Sequence, residues 1–166
     1  MKKIRIFGDP VLREKSSSVK KINSKIKKLI EDLKDTMNTA SGAGLAANQI
    51  GVLKRVAIIN IEDKLVELIN PKIIKKEGEI EEQEGCLSFH SLSCPIKRAE
   101  KVYIITKNSK GKKVKIEAEG LLARAIQHEI DHLNGVLIID HASNVDRRKI
   151  LLELNELRKK YQEDKI

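Results

Sequence analysis

The 166-residue chain has no tryptophan and only four aromatic side chains, Phe7, Phe89, Tyr103 and Tyr161. Single-strand nucleic-acid platforms stack bases on several such rings, so base stacking is excluded as the main function and specific DNA recognition is not expected. The core must come from branched aliphatics, 23 isoleucines among them, which favour strands for part of the chain. Cysteine is equally scarce: Cys86 and Cys94 stand alone, too few for the disulfide framework of a small secreted scaffold, and are predicted to be reduced thiols. Long apolar runs are missing, the longest being four residues such as Val136 to Ile139, against about 20 for a membrane helix. The opening Met1 to Pro10 has the basic start of a signal peptide, but Arg5, Asp9 and Pro10 interrupt any apolar segment. No membrane contact is expected, and the expected location is cytoplasmic.

Charge of one sign is unevenly spread. Residues 1–34 hold eleven Lys/Arg against four Asp/Glu, so +7 of the net +9 lies there. Ile22, Ile26, Leu29, Ile30, Leu33 and Met37 recur at helical spacing with lysines opposite, predicting an amphipathic helix from Asn23 or Ser24 to about Ser41-Gly42. Gly42-Ala43-Gly44 then reads as the start of a flexible stretch. Val- and Ile-rich segments follow at Arg55 to Ile61, Leu65 to Ile69, Ile73 to Ile80, Val102 to Thr106 and Val114 to Ala118, separated by turn residues. Helical period returns over Gly120 to Asn134, and Asn144 caps a last helix over Val145 to about Tyr161, with Ile150, Leu151, Leu154 and Leu157 as its stripe. This order predicts one α+β domain over residues 1–166. Short, mostly antiparallel strands would pack around the central helix, with an N-terminal amphipathic helix and a C-terminal helix.

That central helix carries His128-Glu129-Ile130-Asp131-His132, an HExxH sequence. Four residues on a helix turn about 400°, so both imidazoles project from one face and can reach one metal, with the Glu129 carboxylate beside them as a proton acceptor. The plainer alternative is a pair of surface histidines beside acids, but the surrounding apolar residues predict partial burial, where imidazoles need partners. A catalytic site wants a third protein ligand. Ile138 stands where the metzincin pattern has histidine, which excludes that class. Glu153, twenty-one residues past His132, suits a small thermolysin-like peptidase, and Cys86 in Glu84-Gly85-Cys86-Leu87-Ser88 offers a thiolate. From spacing alone both remain open. A basic RNA-binding protein with a structural metal is the non-enzyme alternative, and it would not depend on Glu129.

Gly42-Ala43-Gly44-Leu45-Ala46-Ala47-Asn48-Gln49, Glu84-Gly85-Cys86-Leu87-Ser88 and Gln127-His128-Glu129-Ile130-Asp131-His132 together resemble the peptide deformylases, in order and spacing, from about Arg5 to the final helix. The resemblance implies a metal held by Cys86, His128 and His132, typically iron(II) and replaceable by nickel, cobalt or zinc. It implies that Glu129 takes a proton from water, that hydroxide attacks the formyl carbon of an N-formylmethionyl peptide, and that Gln49, the Leu87 N–H and the metal meet the oxyanion. Backbone near Ala43, Gly44 and Gly85 would pair with an extended substrate, and Leu121, Arg124 and Ala125 would border the methionine pocket. The chain departs from the family pattern at Ala43, at Arg124 and at Phe89-His90; the Arg124 stem is expected to lie on the pocket with its head in water. His90, His141 and Cys94 are expected to be structural or exposed, and Asp131 either to orient a histidine or to face solvent. The basic residues of 1–34, with Arg147-Arg148-Lys149 and Arg158-Lys159-Lys160, suit a transient ribosome contact.

Overall fold

The computed structural model describes residues 1–90 and 92–163. The N-terminal amphipathic pattern folds as helix α1 (Ser24–Thr39), capped where Asn23 Oδ1 accepts the Ile26 N–H at 3.1 Å. Its stripe of Ile26, Leu29, Ile30, Leu33 and Met37 is buried. Five antiparallel strands form the main sheet: β1 (Gly44–Ala46), β2 (Val56–Ile61), β3 (Lys64–Glu77), β6 (Lys101–Lys107) and β7 (Lys113–Glu119), in the spatial order β1-β2-β3-β6-β7. The unbroken apolar run Val56-Ala57-Ile58-Ile59 follows from covering both faces of β2: Val56 and Ile58 pack in the cluster with α1, and Ala57 and Ile59 in the cluster with helix α2 (Gly120–Leu133).

A second, two-stranded sheet, β4 (Ile80–Gly85) with β5 (Ser93–Arg98), lies apart from the first. It packs with Leu12, the short helix α3 (Ile138–His141) and the start of helix α4 (Asn144–Glu163). Between the two sheets runs α2. Ala123, Ile126, Ile130 and Leu133 enter the core against the main sheet, while Arg124, Gln127, His128 and Asp131, spaced i, i+3, i+4, i+7, form polar contacts with the small sheet or with residues beside it.

The predicted α+β class is what the chain forms, with several local differences. Leu65 to Ile69 and most of Ile73 to Ile80 are one strand, β3, not two, and Ile80 opens β4. Asn70-Pro71 reads as a break but sits at a register shift, with Asn70 at φ 51° and its side chain bonded to both the N–H and the carbonyl of Val19 at 2.8 Å. Gly44 to Ile50, expected to be flexible, is strand and 3₁₀ turn, with Leu45 fully buried. Strand β4 escaped the sequence reading because charged and polar residues dominate it, β5 because Pro95 interrupts its short apolar stretch, and α3 because it is a single turn. Of the predicted α4 stripe, Ile150 and Leu154 are buried; Leu151 and Leu157 are exposed, since the core cluster reaches only the first turns of that helix. Both cysteines are free and buried, and among the described residues no helix is long and apolar enough to cross a membrane.

Candidate active site

Helix α2 and the end of β4 bring three donors together. His132 Nε2 lies 3.1 Å from His128 Nε2 and 3.3 Å from Cys86 Sγ, and the three ligand atoms fall within 4.8 Å of one another. Bond lengths of about 2.0–2.1 Å to nitrogen and 2.3 Å to sulfur give tetrahedral edges of roughly 3.3–3.5 Å, so these donors fit one divalent ion. Lone pairs this close repel unless a proton or a cation lies among them. Burial and the nearby His128 hold His132 well below the ordinary imidazole range. For His128 burial acts the same way, but the charges of Glu129, Cys86 and Glu84 outweigh it and raise that ring. The site therefore favours one positive charge shared among the donors. Glu153 is not among the described residues that converge here, because α4 carries it elsewhere; the thermolysin-like ligand set does not form.

The sequence reading missed Glu84 as a partner of the histidines. The Glu84 carboxylate, which burial alone would push up, is held well below the usual range by hydrogen bonds from His128 and Arg98. An ionised carboxylate only accepts, so His128 must donate Nδ1–H to Glu84 Oε2 at 2.9 Å, and that tautomer leaves Nε2 free for the metal. Strand periodicity offered a signal: Glu84 and Cys86, two residues apart, point to the same side. Nothing in the sequence paired Arg98 with Glu84. Asp131 neither orients a histidine ligand nor simply faces solvent; it bonds Arg98 at 2.5 Å and the half-exposed His141 at 2.8 Å. His90 is exposed at φ 53° and Cys94 is buried.

Glu129 is 3% exposed, and its Oε1 has no hydrogen-bond partner among the described residues. Burial pushes its carboxyl up to about 7. The glycine motif makes room for it: a Cβ on Gly44 would lie 2.5 Å from Glu129 Oε2, and one on Gly42 would lie 2.7 Å from Leu87 Cδ1. Gln49, buried in the 3₁₀ turn Ala47–Ile50, accepts the Ala46 N–H on Oε1 at 3.0 Å. This fixes its amide, so Nε2 donates to Ser88 Oγ at 3.0 Å and faces Cys86 Sγ at 3.7 Å. Asn48 donates to the His132 carbonyl at 2.6 Å and ties this turn to the end of α2.

A cavity of about 310 Å³ opens onto these groups, lined by Ala43, Gly44, Gln49, Gly85, Cys86, Leu87, Leu121, Arg124, Ala125, His128 and Glu129 among others. All the site residues implied by the deformylase resemblance except the buried His132 line it. Leu121 sits on the rim at 62% exposure. Arg124 overturns one expectation: its head is not in water but buried, bonded to Glu84 and to two backbone carbonyls, because Glu84 offers a buried charge that needs partners.

The family model for polypeptide deformylase matches residues 1–148. The peptide deformylase of Carboxydothermus hydrogenoformans is 47% identical over 146 residues, covering 88% of this chain and 96% of that one. That of Thermoanaerobacter pseudethanolicus is 51% identical over 139 residues, 84% of this chain and 87% of its own. The crystal structure of a peptide deformylase from Legionella pneumophila superposes with a TM-score of 0.93 at 38% identity, over 98% of both chains. Likeness of this extent, in sequence as in fold, means that the chain belongs to the polypeptide deformylase family.

Proposed function

We propose that this chain's deformylase activity, hydrolysis of the formamide of N-formylmethionyl peptides to formate and a free amine, takes place in this cavity with Glu129 as the proton acceptor. The observation that carries the reading is a buried carboxylate with one unpartnered oxygen, beside three converging metal donors, in a cavity open to solvent. Cys86, His128 and His132 would hold the ion, which when bound supplies Lewis acidity for acidifying water and polarising a carbonyl. We assign iron(II) as that ion, with nickel, cobalt or zinc as replacements; a thiolate with two imidazoles suits each of them, and metal analysis of protein prepared without oxygen identifies it.

Glu129 accepts the proton of the attacking water and returns it to the leaving amine, so one carboxylate serves both halves of the reaction. The Gln49 amide and the Leu87 N–H meet the oxygen that gains charge; Leu87 opens a 3₁₀ turn, where an N–H has no partner within the helix. Backbone of Ala43, Gly44 and Gly85 pairs with the extended peptide. The methionine side chain enters between Leu121, Ala125 and the stem of Arg124. Formate release from a formylmethionyl dipeptide, with anaerobic iron(II) or with nickel in the full chain, tests the reading; metal-loaded protein that releases none would overturn it.

The rate should fall at acid pH as Glu129 takes up a proton, because only its ionised form accepts one. Burial raises this carboxyl from 4.5 to about 7, and a bound cation pulls it back, so the acid limb of kcat/KM is expected between those values. A pH profile flat from 7 down to 4.5 would remove Glu129 from the role.

We further infer a cytoplasmic enzyme of one catalytic domain that meets its substrates at the ribosome through exposed basic groups such as Lys20, Lys21, Arg148 and Lys149. Neutralising these four should weaken co-sedimentation with ribosomes and flatten its salt dependence. Unchanged co-sedimentation would make them a solvated face.

A further inference from the structure

Arg124 takes no part in the proton transfers above, yet its guanidinium, carried by α2, is buried and bonded to both strands of the small sheet. It is 6% exposed, and it donates Nη1–H to Glu84 Oε1 at 3.1 Å and to the Ile96 carbonyl at 3.0 Å, and Nη2–H to the Ile80 carbonyl at 3.0 Å. Ile80 and Glu84 belong to β4 and Ile96 to β5, the hairpin whose first strand leads directly into Cys86. No strand ladder joins this hairpin to the main sheet among the described residues, so its distance from α2 depends on side chains. Arg98 and Gln127 supply part of that link at the β5 end. Arg124 supplies it along β4.

A carboxylate has about four acceptor positions. Those of Glu84 receive Arg98 Nε and Arg124 Nη1 on Oε1, and Arg98 Nη2 and His128 Nδ1 on Oε2. With every position occupied, the carboxylate cannot rotate, and the His128 ring it holds cannot turn. We propose that Arg124 is a positioning residue for the metal: it locks Glu84 and holds β4 and β5 on α2, and so fixes the Cys86 thiol relative to the His128 imidazole. This rests on the reading of Cys86, His128 and His132 as ligands. It gives the guanidinium a task separate from bordering the substrate pocket with its stem.

The test uses the full chain loaded with nickel(II) or cobalt(II). Arg124→Met keeps the stem and loses the fork, and should release nickel to a competing chelator about 10-fold faster, the lower end of what lost outer partners of metal ligands cost. The thiolate band of the cobalt-loaded protein should shift. Arg124→Lys keeps the charge without the fork; it should also loosen the metal, and it answers the question if Arg124→Met does not fold. In a Glu84→Gln background, Arg124→Met should speed nickel release less than it does in the parent, since part of its effect runs through Glu84 and the rest through the Ile80 and Ile96 carbonyls. Leu33→Ala, a core variant on the buried stripe of α1, should retain nickel like the parent.

Parent-like nickel retention in both Arg124 variants would overturn the proposal, and with a raised KM it would make Arg124 a pocket wall. Equal metal loss in Leu33→Ala, or full additivity with Glu84→Gln, would overturn it as well. His128→Ala tests the ligand reading separately: if that variant holds nickel like the parent, the reading fails, whereas if it loses nickel and the Arg124 variants do not, only this inference fails.

Discussion

Glu129→Gln should lower formate release by about 10²- to 10⁴-fold, the usual contribution of a positioned acid or base, while the protein still binds its metal. Glutamine matches glutamate in shape and fits the space beside Gly44, so geometry is kept and only proton acceptance is lost. The loss should fall on kcat with little change in KM, because Glu129 acts on the reacting water and not on the peptide's side chains. Stability should move the other way. The carboxylate is buried with an unpartnered oxygen, an arrangement that disfavours the folded state whenever the group is charged. Above pH 7 the native form carries that unfavourable charge and the variant does not, so thermal unfolding of Glu129→Gln should occur at or above the parent's temperature. A variant that kept a tenth or more of the parent's rate would end the case for Glu129 as the base.

Periodicity and spacing made the scaffold and the reacting groups readable for different reasons. Helices α1 and α2 were legible because each carries an apolar stripe at helical spacing, and β2, β6 and β7 because Val and Ile cluster there. Strand β4 was not: Ile80-Glu81-Glu82-Gln83-Glu84-Gly85 has one apolar side chain, and its strand conformation comes from pairing with β5 and from bonds to α2. The bend at Asn70-Pro71 hid the continuity of β3, because the same residues that break a strand also make a bulge in one. In the site, His128, Glu129 and His132 share one helix turn and announce themselves. Gly44 acquires its meaning only in three dimensions, where it faces Glu129 from another element. The Glu84, Arg98 and Arg124 network was illegible because its members come from β4, β5 and α2, and a charged residue in a sequence defaults to solvent. Arg124 is the clearest case, since only the position of Glu84 explains why a guanidinium should be buried.

Cys86→Ala should cost more metal affinity than any change to an outer partner, thus more than the roughly 10–100-fold those produce, because it takes one of three protein ligands and the set's only negative charge. Two imidazoles 3.1 Å apart would remain, without the thiol that completes the donor set. Chelator competition measures that loss. Glu153→Ala provides the contrast. That residue is carried by α4, away from the converging donors, and its loss should leave metal content and formate release at parental levels. The reverse outcome, metal kept without the thiol and lost without Glu153, would require α4 to reach the histidines in solution. The buried contacts of Ile150 and Leu154 oppose that movement, because pulling either from the core exposes a side chain worth about 1.5–3 kcal/mol of burial.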